Sequence, residues 1–162
     1  SGKTTLLRIL AGLDMPDRGS VNHAPAVRVG FLAQTPMFDD QSLRVVDAYR
    51  KGFIGHEGDF KFDLLRYGLL TLDDVEKTVG ELSPGQRRKL EIARLIALRP
   101  NVLLLDEPTN YVSLDVLEAF EAAVAAFPGP VIAVSHDRRF IQDFDGEVHK
   151  LEDGKLTLVT KT

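Results

Sequence analysis

Apolar residues return at helical spacing from the start of the chain: Leu6, Leu7, Leu10 and Leu13 share a face, and Gly12 stands where a left-handed helix end is expected. A helix is therefore predicted from about Thr4. The turn-rich residues 14–20 lead to Val27, Val29 and Phe31, which alternate with other residues as a strand does and stop near Gln34. Residues 43–79 carry helical periodicity in pieces. Leu64, Leu65, Leu69, Leu72, Val75 and Val79 mark apolar faces there, interrupted by the glycine-bearing residues 52–58. A small helical insertion is expected and, with the helix that follows, occupies about residues 41–99.

Ser83 can cap that next helix, with Pro84 at its first position and Gln86 three residues after the cap, the spacing of a capping box. The helix is expected to run to about Leu98, before Pro100, and its basic run Arg87-Arg88-Lys89 to form a solvated face. Residues 102–105 are wholly apolar and too few for a helix, so a buried parallel strand is favoured, with Asp106 and Glu107 at its C-terminal end. Leu117, Phe120, Val124 and Phe127 make one helical face. Pro128-Gly129-Pro130 breaks it before a second apolar strand, residues 131–134, which Ser135-His136-Asp137 follows. A short helix is expected over residues 138–144, and residues 148–158 read as a hairpin about Asp153-Gly154.

Strands alternating with helices predict an α/β fold: a mainly parallel sheet covered by helices on both faces, plus the helical subdomain and the C-terminal hairpin. Ligands bind such sheets at the carboxyl ends of the strands. Gln34, Asp106, Glu107 and His136 are all placed there.

At 162 residues, 44% of them hydrophobic, the chain is long enough for one domain with a core of its own. A net charge of -4 supplies no general attraction for nucleic acid or anionic lipid. The absence of cysteine excludes disulfides and thiolate metal sites and fits a reducing compartment, the cytoplasm by default. No apolar stretch approaches the roughly 20 residues that span a bilayer, so direct membrane insertion is not expected.

Five sequence features carry candidate chemistry. Ser1-Gly2-Lys3-Thr4-Thr5 matches the second half of the phosphate-loop pattern G-x-x-x-x-G-K-S/T, whose first four positions are then expected before residue 1. The glycine lets the backbone approach phosphate, Lys3 can reach the β- and γ-oxygens, and the Thr4 hydroxyl can ligate Mg²⁺. By itself the same tripeptide is also a solvated lysine at a helix start. Asp106, after four apolar residues, stands where an acid can hold Mg²⁺ through water, and Glu107 where a carboxylate can polarise the attacking water. An acidic helix cap is the plainer alternative, though paired acids fixed by Pro108 behind a core strand are unusual as caps. The Gln34 amide can reach metal and water, and a neutral His136 imidazole can bond a γ-phosphate. Either residue alone would more simply be surface. Leu82-Ser83-Pro84-Gly85-Gln86 merely starts a helix on one reading. On the other, Gly85 bares the first-turn amides to an anion, which the helix dipole favours.

In order along the chain, Ser-Gly-Lys-Thr-Thr, Gln34, Leu-Ser-Pro-Gly-Gln, Leu-Leu-Leu-Asp-Glu-Pro and Ser-His-Asp resemble the motifs of ATP-binding cassette (ABC) ATPases, and the resemblance covers essentially the whole chain. Glu107-Pro108-Thr109-Asn110 and Ser135-His136-Asp137-Arg138 are similar to the ABC-F branch, soluble proteins with two cassettes in one chain that act on ribosomes. The resemblance implies a phosphate-loop fold, ATP and Mg²⁺, and roles residue by residue. Ser1, Gly2, Lys3, Thr4 and Thr5 would bind ATP; Thr4, Gln34 and Asp106 would hold the metal. Gln34 would be the Q-loop residue, Asp106 the Walker B acid, Glu107 the general base and His136 the switch histidine. Ser83, Gly85 and Gln86 would contact ATP bound to an opposing cassette.

Two departures bear on these expectations. Pro84 replaces the usual second glycine of the signature, which suits a first-turn position. Ser113 stands where the D-loop aspartate is expected, with Asp115 two residues later, a departure that touches communication between cassettes. The resemblance implies the C-terminal cassette of such a protein, lacking its upstream strands and adenine-stacking aromatic. Isolated, such a chain would be aggregation-prone and weakly active. Its implied partners are a second cassette and the ribosome, with translation-factor or antibiotic-resistance activity. A transporter cassette beside a transmembrane permease, and a catalytically silent nucleotide sensor, are the alternatives.

Overall fold

The computed structural model describes residues 2–66, 68–110 and 112–160, with the side chains of Asp115 and Ala119 outside the description. In chain order the elements are α1 (Lys3–Leu10), β1 (Val29–Leu32), α2 (Val45–Arg50), α3 (Glu57–Arg66), α4 (Leu72–Glu76) and a 3₁₀ turn (Val79–Glu81). They continue with α5 (Pro84–Ala97), β2 (Val102–Asp106), α6 (Leu114–Ala125), β3 (Val131–Val134), α7 (Arg138–Asp143), β4 (Val148–Glu152) and β5 (Lys155–Val159). The chain divides into two units: Ser1–Gln34 with Pro100–Asn110 and Ala119–Thr162, and Thr35–Arg99 with Tyr111–Glu118.

The first unit is built on a parallel sheet in the order β1-β2-β3. β2 is central, and the buried consecutive Leu103, Leu104 and Leu105 show that both of its faces are covered. That cover thins at β3, where Ile132 is 45% exposed. The register sets Leu32 beside Leu105 and Leu105 beside Ala133, so the three strands end together on one edge. At the opposite edge Asn101 ties the strands. Its side chain accepts from the Arg28 amide (2.8 Å) and donates to the Ala26 carbonyl (2.8 Å). Gly129, just before β3, lies so close to the Asn101 carbonyl that a Cβ there would sit 2.2 Å from the oxygen. The hairpin β4-β5 turns through Asp153 and Gly154, both with positive φ, as a two-residue I′ turn requires.

The second unit is helical. Its core gathers Val45, Val46, Tyr49, Leu64, Val75, Val79 and Leu90, with Phe53 stacked on Phe60 at 6.2 Å. Expected features depart from the structure at several positions. Gly58 belongs to α3 and not to the preceding break, and Leu72, the first residue of α4, is exposed. The basic run on α5 is not a solvated face. Arg88 is 6% exposed and Glu91 4%, and their side chains pair at 2.9 Å while the other Glu91 oxygen accepts from the Met37 amide at 2.9 Å. Arg87 donates to the carbonyls of Leu82 and Gly80. Because α5 buries Leu90, Ile92, Ala93 and Leu95 as well, consecutive side chains that fan out by about 100° cannot all reach solvent. In α6 the buried positions are Val116, Phe120 and Val124, an i, i+4, i+8 row, with Leu117 only half-buried.

Candidate functional site

In the first unit, the start of α1 and the ends of the three parallel strands open on one cleft. Gly2 has φ +93° and leads into α1, its carbonyl accepting the Leu6 amide at 2.9 Å. A residue with a Cβ is strained in that conformation, which accounts for glycine here. No side chain caps this start and no acid lies in the first turn. The opening amides and positive dipole end are therefore available to an anion.

Asp106 closes β2 with a carboxylate that is almost wholly buried, and neither oxygen has a hydrogen-bond partner. A buried carboxylate without donors costs free energy, so a cation or donor supplied from outside fits the position. The next residue, Glu107, has φ +49°, which costs about 1–2 kcal/mol for a residue with a Cβ. The turn is fixed on both sides: the Glu107 amide donates to the Val134 carbonyl (2.8 Å), the Glu107 carbonyl accepts from Asn110 (3.2 Å), and Pro108 is fully buried. This holds the Glu107 carboxylate beside residue 136. Its Oε2 accepts the His136 amide at 3.2 Å, and Oε1 lies 3.5 Å from the His136 Nε2. The His136 ring itself is 77% exposed.

The cleft, of about 420 Å³, is lined by Gly2, Lys3, Thr4, Thr5, Gln34, Asp106, Glu107, Asn110, Val134 and His136. Eight expected residues, Gly2, Lys3, Thr4, Thr5, Gln34, Asp106, Glu107 and His136, thus meet in one place. Ser1 lies outside the described residues. Asn110 and Val134 were not foreseen. The i to i+3 turn that begins at Glu107 carries Asn110 back to the cleft, a consequence of the same strand-end bend.

Mg²⁺ prefers few carboxylates completed by water and substrate phosphate oxygens. One buried acid beside threonine hydroxyls and a glutamine amide suits that preference. Among the described residues no cluster of three or more His, Asp or Glu offers an all-protein metal cage.

Ser83, Gly85 and Gln86 belong to the second unit, at the start of α5. Ser83 Oγ accepts the Gln86 amide (3.2 Å) and Gln86 Oε1 accepts the Ser83 amide (2.8 Å), completing the expected capping box. Gln86 Nε2 in addition donates to Asp74 Oδ1 at 2.7 Å, so both ends of the side chain are engaged within the unit. Ser83 is exposed.

A parallel α/β sheet with an uncapped helix start and paired strand-end acids defines a nucleotide-binding protein of the phosphate-loop class. The sequence pattern of the family described as ABC transporter matches residues 1–110, and the chain belongs to that family. It is 39% identical over 157 residues to the tylosin resistance ATP-binding protein TlrC of Streptomyces fradiae, covering 97% of this chain and 28% of that protein. It is 36% identical over 161 residues to the energy-dependent translational throttle protein EttA of Escherichia coli K12, covering 96% of this chain and 29% of that one. A probable ATP-binding cassette sub-family F member 3 homolog of Encephalitozoon cuniculi is 36% identical over 159 residues, 96% of this chain and 27% of its own. The chain thus spans less than a third of these curated relatives. Among solved structures, the dimeric ATP-binding cassette MJ0796 in a post-hydrolysis state with ADP and Pi superposes with a TM-score of 0.80 at 20% identity. That match covers 99% of this chain and 81% of the other and shares its fold. No described helix is long and apolar enough to cross a membrane.

Proposed function

We propose that the chain is the nucleotide-binding core of an ABC-F-type cassette that binds ATP with Mg²⁺ and hydrolyses it to drive conformational work on the ribosome in the cytoplasm. The carrying observation is the unpartnered, buried Asp106 carboxylate in a cleft shared with an uncapped helix start and with Glu107. Lys3 and the first amides of α1 take the β- and γ-phosphates. Thr4, Gln34 and Asp106 hold Mg²⁺, which when bound draws charge from the phosphate oxygens. Glu107 accepts a proton from water as that water attacks the γ-phosphorus in line, and the bond to the β-phosphate oxygen breaks to leave ADP and phosphate. His136 lies at the outer rim of the cleft, ready to bond the γ-phosphate or the attacking water. Ser83, Gly85 and Gln86 serve the nucleotide of a second cassette, so that two cassettes close over two ATPs and reopen after hydrolysis.

The names of the similar proteins, a tylosin resistance ATP-binding protein and a translational throttle protein, support the ribosomal reading and a role in translation or antibiotic resistance. The experiment is phosphate release by the complete protein with and without Glu107→Gln, together with sedimentation on ribosomes. The variant is expected to lose turnover, retain ATP and travel with ribosomes. Equal turnover would remove Glu107 from the mechanism, and no ATP-dependent ribosome association would remove the ribosomal role. The family description favours a second reading, a transporter cassette. Copurification with a transmembrane permease in place of ribosomes would select it.

A further inference from the structure

Asp74, in the second unit, accepts four hydrogen bonds, more than a helix cap needs. Its Oδ2 accepts the Thr71 amide (3.0 Å) and hydroxyl (2.8 Å), closing the capping box of α4. Its Oδ1 turns the other way and accepts Gln86 Nε2 at 2.7 Å and Lys77 Nζ at 3.2 Å. The side chain is buried, which alone would raise its pKa. The Thr71 amide and hydroxyl and the Lys77 ammonium outweigh that and hold it below the usual carboxylate range. One carboxylate therefore joins the start of α4 to the start of α5.

We propose that Asp74 is a positioning residue for the signature turn: it fixes the Gln86 side chain, and through it the Ser83 hydroxyl, in the orientation that meets the nucleotide of an opposing cassette. The inference rests on the ATPase reading above. The geometry determines what Ser83 can offer. Its amide is occupied by Gln86 Oε1, and one lone pair of its hydroxyl is occupied by the Gln86 amide. The hydroxyl proton is the donor left for an outside phosphate oxygen, and Ser83 is exposed. Gln86 holds both bonds in place only while its far end is anchored, because its side chain has three rotatable bonds and is otherwise free to leave the bracket. Asp74 supplies that anchor with a charge-assisted bond, roughly twice the strength of a neutral one. Gln86 thus serves the opposing nucleotide chiefly as a brace for Ser83.

The test uses the complete protein and four variants: Asp74→Ala, Asp74→Asn, Gln86→Ala and Asp74→Ala with Gln86→Ala. Asp74→Ala is expected to lower kcat for ATP hydrolysis about tenfold and leave KM for ATP within about twofold, because the protein's own ATP cleft is untouched. Asp74→Asn keeps an oxygen for Gln86 Nε2 and is expected to recover most of the loss. In the Gln86→Ala background, removing Asp74 costs nothing further. Additive losses, an asparagine no better than alanine, or a fall in kcat that tracks loss of folded protein by circular dichroism would each overturn the proposal. Normal turnover in Asp74→Ala removes this proposal alone. Absence of ATP turnover in the parent protein removes the ATPase reading, and this proposal with it.

Discussion

Two buried aspartates, one in each unit, live under opposite conditions. Asp106, at the close of β2, has two oxygens and no donor. Asp74, in the first turn of α4, draws four donors onto its two oxygens. The first unit leaves its acid unsatisfied and its next residue strained at a site where a ligand would relieve the cost; the second saturates its acid and uses it to stiffen a turn. A carboxylate's partners, more than its burial, separate a site that waits for something from a frame that holds something.

The sharpest way to break this contrast is Glu107→Gln. If the strained strand end is the reacting end, phosphate release by the complete protein falls about 10²-fold or more, with ATP still retained on filters. Next in size is the frame behind the cleft. Gly129→Ala places a Cβ 2.2 Å from the Asn101 carbonyl oxygen, and the backbone must move. A loss of about 1–3 kcal/mol in urea unfolding is expected, and an unchanged midpoint would show that the strand edge yields freely.

The two aspartates themselves should then respond with opposite signs. Without nucleotide, Asp106→Asn is expected to stabilise the protein by about 1 kcal/mol, since it removes an unpaired buried charge, while abolishing the rise in melting temperature that Mg-ATP produces. Asp74→Ala is expected to destabilise by about 1–3 kcal/mol because it strands the Thr71 and Gln86 donors. Calorimetry with and without Mg-ATP reads both, and shifts of the same sign would erase the distinction drawn between them.

The smallest effect is on acid stability, and in the second unit it rests on two glutamates. Bonds from Arg44 and Lys61 hold Glu57 down from its ordinary 4.5 to about 2, and bonds from the Thr78 amide and hydroxyl lower Glu81. A carboxylate whose folded pKa lies below its unfolded value adds stability above the unfolded value and loses it as pH falls through the folded one. Stability should therefore decline from about pH 4.5 toward 2. Glu57→Gln should flatten that slope in equilibrium unfolding followed by circular dichroism. The slope will be shallow because the pair is partly exposed.

The elements of the sheet were legible because a buried parallel strand and a strand-end acid pair leave local marks: residues 102–105 have no polar member, and Asp106, Glu107 and Pro108 follow at once. The Ser83 capping box was legible for the same reason, its partners lying three residues apart. What escaped depends on distant packing. Arg88 sits between two other basic residues and reads as surface, yet the packing of α5 turns it inward onto Glu91. The link from Asp74 to Gln86 spans 12 residues and two helices, and no periodicity announces it. Asn110 reaches the cleft only because Glu107 adopts a left-handed backbone, a property that no side-chain pattern encodes. In α6 both Val116 and Leu117 suit an apolar face, and packing alone selects Val116.

The bond from Arg28 to Asn101 joins residues 73 positions apart, so the sheet begins with one of the longest closures in the chain. Local helices form in microseconds, whereas pairing across such a span must first bear its loop entropy. If the second unit has already collapsed into a folded body, the flexible length left to close is much shorter, and β1 can find β2. Helical signal should then precede protection of the β2 amides when refolding is followed by pulsed hydrogen exchange. The insertion that presents the signature turn would thus also set the tempo at which the cleft comes into being.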